Sequence, residues 1–153
     1  MKIIKNRQIV ENDYRFLADD EAFDIDEKIV VSVARWLAEK EQLLASVESG
    51  VGKDFIGIRL NVEDDLEAIA EDLKTLALVE FNFAAFTDGR SFSRAKLLKD
   101  RFDYQGEMRA VGNFMVDQVC YLSKVGFQSF QLSDESKLPT ALKTLDDFSE
   151  SYQ

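Results

Sequence analysis

Histidine does not occur in this chain of 153 residues, and that one absence removes several chemistries. There is no imidazole general base, no Ser–His or Cys–His nucleophile pair, and no imidazole zinc ligand. Cysteine occurs once, as Cys120, which excludes an internal disulfide and a CxxC pair. Cys120 sits in an apolar helical stretch, so a buried structural thiol is expected there. A reactive thiol wants a basic, accessible setting. Proline also occurs once, and no low-complexity linker divides the chain. No apolar run approaches the roughly 20 residues that span a bilayer. The opening MKIIKNRQIVEND is too polar for a secretory signal, so a cytoplasmic location is expected.

Motifs are missing too. There is no GxGxxG turn, no GxxxxGK[ST] loop and no GxSxG elbow. Gly50-Val51-Gly52-Lys53 precedes a strand rather than a helix, the wrong order for a phosphate loop. Without His or paired Cys only a hard cation such as magnesium would suit the many carboxylates, and nothing demands one. No metal site is expected, and no cofactor is identified.

What is present is a globular composition. Apolar residues make up 46%, with twelve Phe and one Trp, which is enough for a substantial core in a single domain. The net charge is −10, so nucleic acid and anionic membranes are poor partners. The charge is uneven. Between Asp88 and Arg109 six basic residues (Arg90, Arg94, Lys96, Lys99, Arg101, Arg109) oppose four acidic ones (Asp88, Asp100, Asp103, Glu107). That window is +2 and the remainder is −12. A mixed-charge helix face accounts for it, and so does a local seat for an anion or an acidic partner.

Periodicity supplies the architecture. Lys2–Lys5 and Gln8–Val10 read as an N-terminal β-hairpin around Asn6-Arg7, followed by an acidic connector, 12–27. Strand-like runs then alternate with helical ones. The strands are Lys28–Val33, Phe55–Leu60, Leu76–Phe83, Glu107–Gly112 and Phe127–Leu132. Helices follow each: Ala34–Val47, with Leu37, Leu44 and Val47 on one side; a segment capped by Asn61 with Leu66, Ile69, Ala70 and Leu73 inward; Ser91–Phe102; a helix capped by Asn113 and ended by Gly126; and a last helix capped by Ser136, with Leu138, Leu142, Leu145 and Phe148 inward. Five repeated strand–helix units indicate an α/β fold with a mainly parallel sheet, either open or curved as a partial barrel.

Ligands of such sheets bind beyond the carboxyl ends of the strands. That rule selects Arg59–Asn61, Asn82–Ser93, Arg109–Asn113 and Gln131–Asp134. In Phe86–Arg94 the parts of an anion seat gather: Gly89 for a sharp turn, Ser91 and Ser93 at a helix entrance, and Arg90 and Arg94 as cationic forks. A plain turn with a Ser91 cap explains the same residues. Arg59 and Arg109 lie near the ends of apolar strands, where a cation needs a ligand or a carboxylate partner such as Asp88 or Asp117. The anion-binding set is therefore Arg59, Arg90, Ser91, Ser93, Arg94, Arg109 and Asn113, with Asp88 as the acid/base candidate. Trp36 reads as a packing anchor.

Phe86-Thr87-Asp88-Gly89-Arg90-Ser91-Phe92-Ser93, Gly106-Glu107-Met108-Arg109-Ala110-Val111-Gly112, Asp117-Gln118, Gly126-Phe127 and Ser32-Val33-Ala34-Arg35-Trp36 together resemble a bacterial family catalogued as domain of unknown function 934. The resemblance covers nearly the whole domain. It implies a role in assimilatory sulfite reduction, since genes of the family commonly neighbour sulfite reductase and members are labelled probable oxidoreductases. It implies sulfite reductase as a partner and adds weight to Asp88–Arg90 and Arg109. An anionic metabolite bound at the strand ends, by an enzyme or a binding domain, and a homodimeric interaction module are the alternatives.

Overall fold

A computed structural model of the chain describes residues 1–23, 27–48, 56–83 and 90–150. The turn Ser49–Gly52, Phe55, Asp88 and the rest of 84–89 lie outside the described residues, as do the side chains of Leu44, Val47 and Phe148. The elements run β1 (Lys2–Lys5), β2 (Gln8–Glu11), β3 (Arg15–Phe16), β4 (Ile29–Ser32), α1 (Val33–Glu48), β5 (Ile56–Leu60), α2 (Leu66–Leu73), β6 (Leu78–Phe83), α3 (Arg90–Asp100), β7 (Glu107–Gly112), α4 (Val119–Val125), β8 (Ser129–Leu132) and α5 (Leu138–Glu150). Short 3-10 turns, Val116–Gln118 and Glu135–Lys137, precede α4 and α5.

The eight strands form one sheet in the order β2-β1-β8-β7-β6-β5-β4-β3. From β3 to β8 each strand lies parallel to the next in sequence. The hairpin β1–β2 is antiparallel, and β1 docks antiparallel on β8. The strand–helix alternation thus runs from β4 onward, while β1, β2 and β3 carry no helix of their own. A monotonic strand order makes every right-handed crossover turn the same way, so the helices gather on one face. Ile58, Phe81, Ala110 and Phe130 point to that face and share one buried cluster with Leu66, Leu98, Leu122 and Leu145 of the helices. Trp36 is fully buried there as an anchor, its indole N–H donating to Asp72 at 3.1 Å.

Covered on one side only, the sheet curls into an open half-barrel. The link between its edges shows how far. Seven inter-strand gaps at about 4.8 Å lay out roughly 34 Å of sheet. Only Asn12, Asp13 and Tyr14 separate β2 from β3, a span of about 14 Å at full extension. That short strap bridges the two edges across the concave face.

Several boundaries differ from the sequence reading. The connector holds β3, because Arg15 N and Leu17 N donate to the carbonyls of Lys28 and Val30. The cap of α2 is Asp65, which accepts from Glu67 N, and not Asn61. The segment after β7 enters a 3-10 turn at Val116, so Asn113 caps no helix. Asp134 accepts from Ser136 N and caps the turn before α5, taking the place assigned to Ser136. Ser91 lies inside α3, buried, and is not its cap. Cys120 is only partly buried. No described helix is long and apolar enough to cross a membrane.

Candidate functional site: a charged row inside the half-barrel

Strand pairing places Ser32, Arg59, Glu80, Arg109, Ser129 and Lys5 side by side, one from each of six adjacent strands. All lie at alternate positions to the helix-facing residues, so they line the concave face. The central three alternate in sign. Arg59 Nε donates to Glu80 Oε1 at 2.8 Å, and Arg109 Nη1 lies 3.5 Å from Glu80 Oε2. The side chains of Arg109 and Glu80 are 0% and 2% exposed, where an unpaired charge would be costly.

Arg109 commits each of its nitrogens to the protein. Nε donates to Ser129 Oγ at 2.9 Å, Nη1 to Asn12 Oδ1 at 2.9 Å, and Nη2 to Glu107 Oε2 at 2.9 Å. Ser129 in turn donates to Glu107 at 2.6 Å, and Lys5 Nζ lies 3.1 Å from the other Glu107 oxygen. Burial alone would raise the Glu107 pKa. The Ser129 hydrogen bond and the charges of Arg109 and Lys5 outweigh burial and hold the carboxyl below its ordinary range. Three cations and two carboxylates sum to +1 in this network, in a chain of net −10.

The strap reads the same row from the other side. Asn12 Nδ2 donates to Gln131 at 3.3 Å, Tyr14 faces the Arg109 guanidinium at 5.6 Å, and Phe16 lies under that of Arg59 at 3.9 Å. Between strap and sheet is a cavity of about 370 Å³, lined by Asn12, Tyr14, Phe16, Arg59, Glu80 and Gln131 among others. Arg59 and Gln131 are the penultimate residues of their strands, so the cavity lies toward the carboxyl ends. Arg59 differs from Arg109 in one respect. Among the described residues its only hydrogen bond is through Nε, and neither Nη is engaged. Its side chain is 19% exposed, with the planar fork fixed by Glu80 at the edge and Phe16 on the face. A guanidinium held this way is pre-organised for a two-point grip on an oxyanion.

The other expected residues lie elsewhere. Arg94 is braced against the β5–α2 loop, donating from Nη1 to Asn61 O at 2.6 Å and from Nη2 to Asp64 O. Burial lowers its pKa from the ordinary value. Asn61 also accepts from Asn82 Nδ2 at 2.8 Å. Arg90 and Ser93 stand at the start of α3, Arg90 exposed and Ser93 exposed. Asn113 N donates to Phe83 O, and Asn113 Oδ1 accepts from Ser133 at 3.2 Å. Its neighbour Gly112 has φ 98°, and a Cβ there would fall 2.7 Å from Asn82 Oδ1, so glycine is required. Asn113 lines a larger cavity of about 760 Å³ beyond β7 and β8. Asp117 and Asp134 outnumber Lys137 on that cavity's lining, which disfavours an anion.

Among the described residues Arg59 and Arg109 therefore come together on Glu80 and Glu107, not on Asp117, while Asp88 lies outside the described residues. Sequence reasoning missed those carboxylates, together with Asn12, Tyr14 and Phe16. A usable signal existed: Arg59, Glu80 and Arg109 are each a charge set within an apolar strand, in three successive strands of alternating sign.

Fold and site together define a curled α/β half-barrel domain with an ion-paired concave face. The model of a family described as bacterial protein of unknown function (DUF934) matches residues 57–153, more than half of the chain, and the chain belongs to that family. The matched span contains Arg59, Glu80, Glu107 and Arg109 and leaves out the hairpin, the strap and Ser32–Trp36. No curated protein compared with the chain matches it.

Proposed function

We propose that this chain is a binding domain for a small oxyanion, acting as an accessory factor in sulfite reduction. The observation that carries the binding part is the unengaged Nη pair of Arg59, fixed by Glu80 and Phe16 at a cavity near the strand carboxyl ends. The cavity volume suits a small metabolite. Arg109 is a positioning residue: it holds Glu80, which holds Arg59. The sulfur setting comes from the family resemblance alone, and sulfite and sulfate are the oxyanions it brings.

Calorimetry with sulfite, sulfate and a small dicarboxylate, against chloride at equal ionic strength, tests the reading. Saturable binding of at least one anion is expected. Arg59→Ala, which removes a two-point charge-assisted contact, should weaken it by about tenfold or more. A wild-type protein that binds none of the three would overturn the assignment. Cells lacking the gene but reducing sulfite at the normal rate would remove the sulfur setting and leave the binding site standing.

A further inference from the structure

The charge around the Arg59 cavity bears on which oxyanion it takes. Two further cations line that cavity, the Met1 ammonium and Arg15. Both are matched: the ammonium lies 3.4 Å from Glu11 Oε2, and Arg15 pairs with Glu21 and Glu27. In the row behind, Arg59, Arg109 and Lys5 against Glu80 and Glu107 leave +1. A singly charged anion therefore neutralises the row. A dianion such as sulfate leaves one negative charge without a cation, close to the Glu80 carboxylate.

Phe16 adds a condition of shape. Its ring covers one face of the Arg59 guanidinium, with 3.9 Å from ring centroid to Cζ. A carboxylate pairs with the two Nη groups in the guanidinium plane and keeps both oxygens there. A tetrahedral anion pairs through two oxygens and carries the other two out of the plane. One of them falls on the side of the ring, which has no donor to replace lost water.

A neutral donor is also in place. Asn12 Oδ1 accepts from Arg109 Nη1 at 2.9 Å and from Tyr14 N at 3.1 Å, so two donors fix the orientation of its amide. Asn12 Nδ2 then donates to Gln131, which must turn its Oε1 toward the strap. Gln131 lines the cavity, and its Nε2 has no partner among the described residues. Such an amide recognises an uncharged oxygen acceptor.

We propose that the Arg59 site takes a small monocarboxylate that also carries a hydroxyl or carbonyl oxygen. Arg59 grips the carboxylate, and Gln131 Nε2 donates to the second oxygen and sets the specificity. This rests on the oxyanion reading of the same site.

Calorimetry on the full chain at constant ionic strength tests it, with lactate, γ-hydroxybutyrate, their deoxy partners propionate and butyrate, and sulfate. At least one hydroxy acid should bind about tenfold more tightly than sulfate and about fivefold more tightly than its deoxy partner. In Gln131→Leu the ratio of those two acids' affinities should fall to about one, whereas a merely structural role would weaken both alike. Sulfate binding as tightly as the acids would overturn the monocarboxylate and leave the oxyanion site standing. Binding of none of the probes would remove both. A hydroxyl that brings no advantage in the wild type, or an advantage that survives in Gln131→Leu, would overturn the role of Gln131.

Discussion

Two arginines in one row have different work because their nitrogens are used differently. Arg109 is saturated by Ser129, Asn12, Glu107 and Glu80, whereas Arg59 keeps its Nη pair open. Glu107 is the carboxylate on which the buried end of the network depends. Glu107→Gln takes one of two carboxylates from a buried arginine and should destabilise the fold by about 1–3 kcal/mol, measured by urea unfolding at pH 7. The effect has a definite pH dependence. The folded pKa of Glu107 is depressed, so the unfolded chain takes up its proton first as pH falls. The stabilisation is fully present above the ordinary glutamate range and is lost as pH falls through the folded value. The stability gap between wild type and Glu107→Gln should therefore narrow as pH falls below about 5. A gap constant with pH would show that the carboxylate charge is not its origin.

At the scale of elements, the strands were legible and their ends were not. Ile29–Ser32, Ile56–Leu60 and Leu78–Phe83 are β-branched and aromatic runs that suit only a buried strand, whatever surrounds them. Asn61 and Asp65 are both good capping residues, and sequence cannot rank them. Tertiary contacts decide, since Asn82 and Arg94 hold Asn61 in the loop and leave Asp65 to start α2. β3 has only two residues and exists because β4 offers its edge, so no periodicity could reveal it. Arg94 is an element-scale brace: α3 grips the loop between β5 and α2 through two backbone carbonyls. Arg94→Ala should speed amide hydrogen exchange at Asn61–Asp64 by about tenfold while exchange in β6 and β7 stays unchanged, the signature of a local opening. Equal acceleration throughout would place the effect in global stability instead.

For the whole molecule, the strap and the strand order matter more than any one contact. A parallel α/β arrangement follows from the alternation of patterns, but the order of strands does not, because it depends on which face each crossover takes. The charged row was half legible for the same reason. Arg59 and Arg109 stand out within apolar strands, while their shared neighbour Glu80 becomes a partner only once β6 is placed between β5 and β7.

The strand order also sets a timetable. From β3 to β8 each strand can pair with the one made just before it, but Ile4 of β1 must wait for Phe130. Closing a loop of that length is slow compared with pairing sequence neighbours. Pulse-labelled refolding should find amides of β5, β6 and β7 protected before that of Asn6, which donates to Gln128 O, and protection of Asn6 first would contradict it. On the ribosome the consequence is sharper. Until β8 has been synthesised, the hairpin offers its β8-facing edge, and the growing sheet its latest strand, both open to strands of other nascent chains. β8 and then α5, made after the other elements, are what end that exposure.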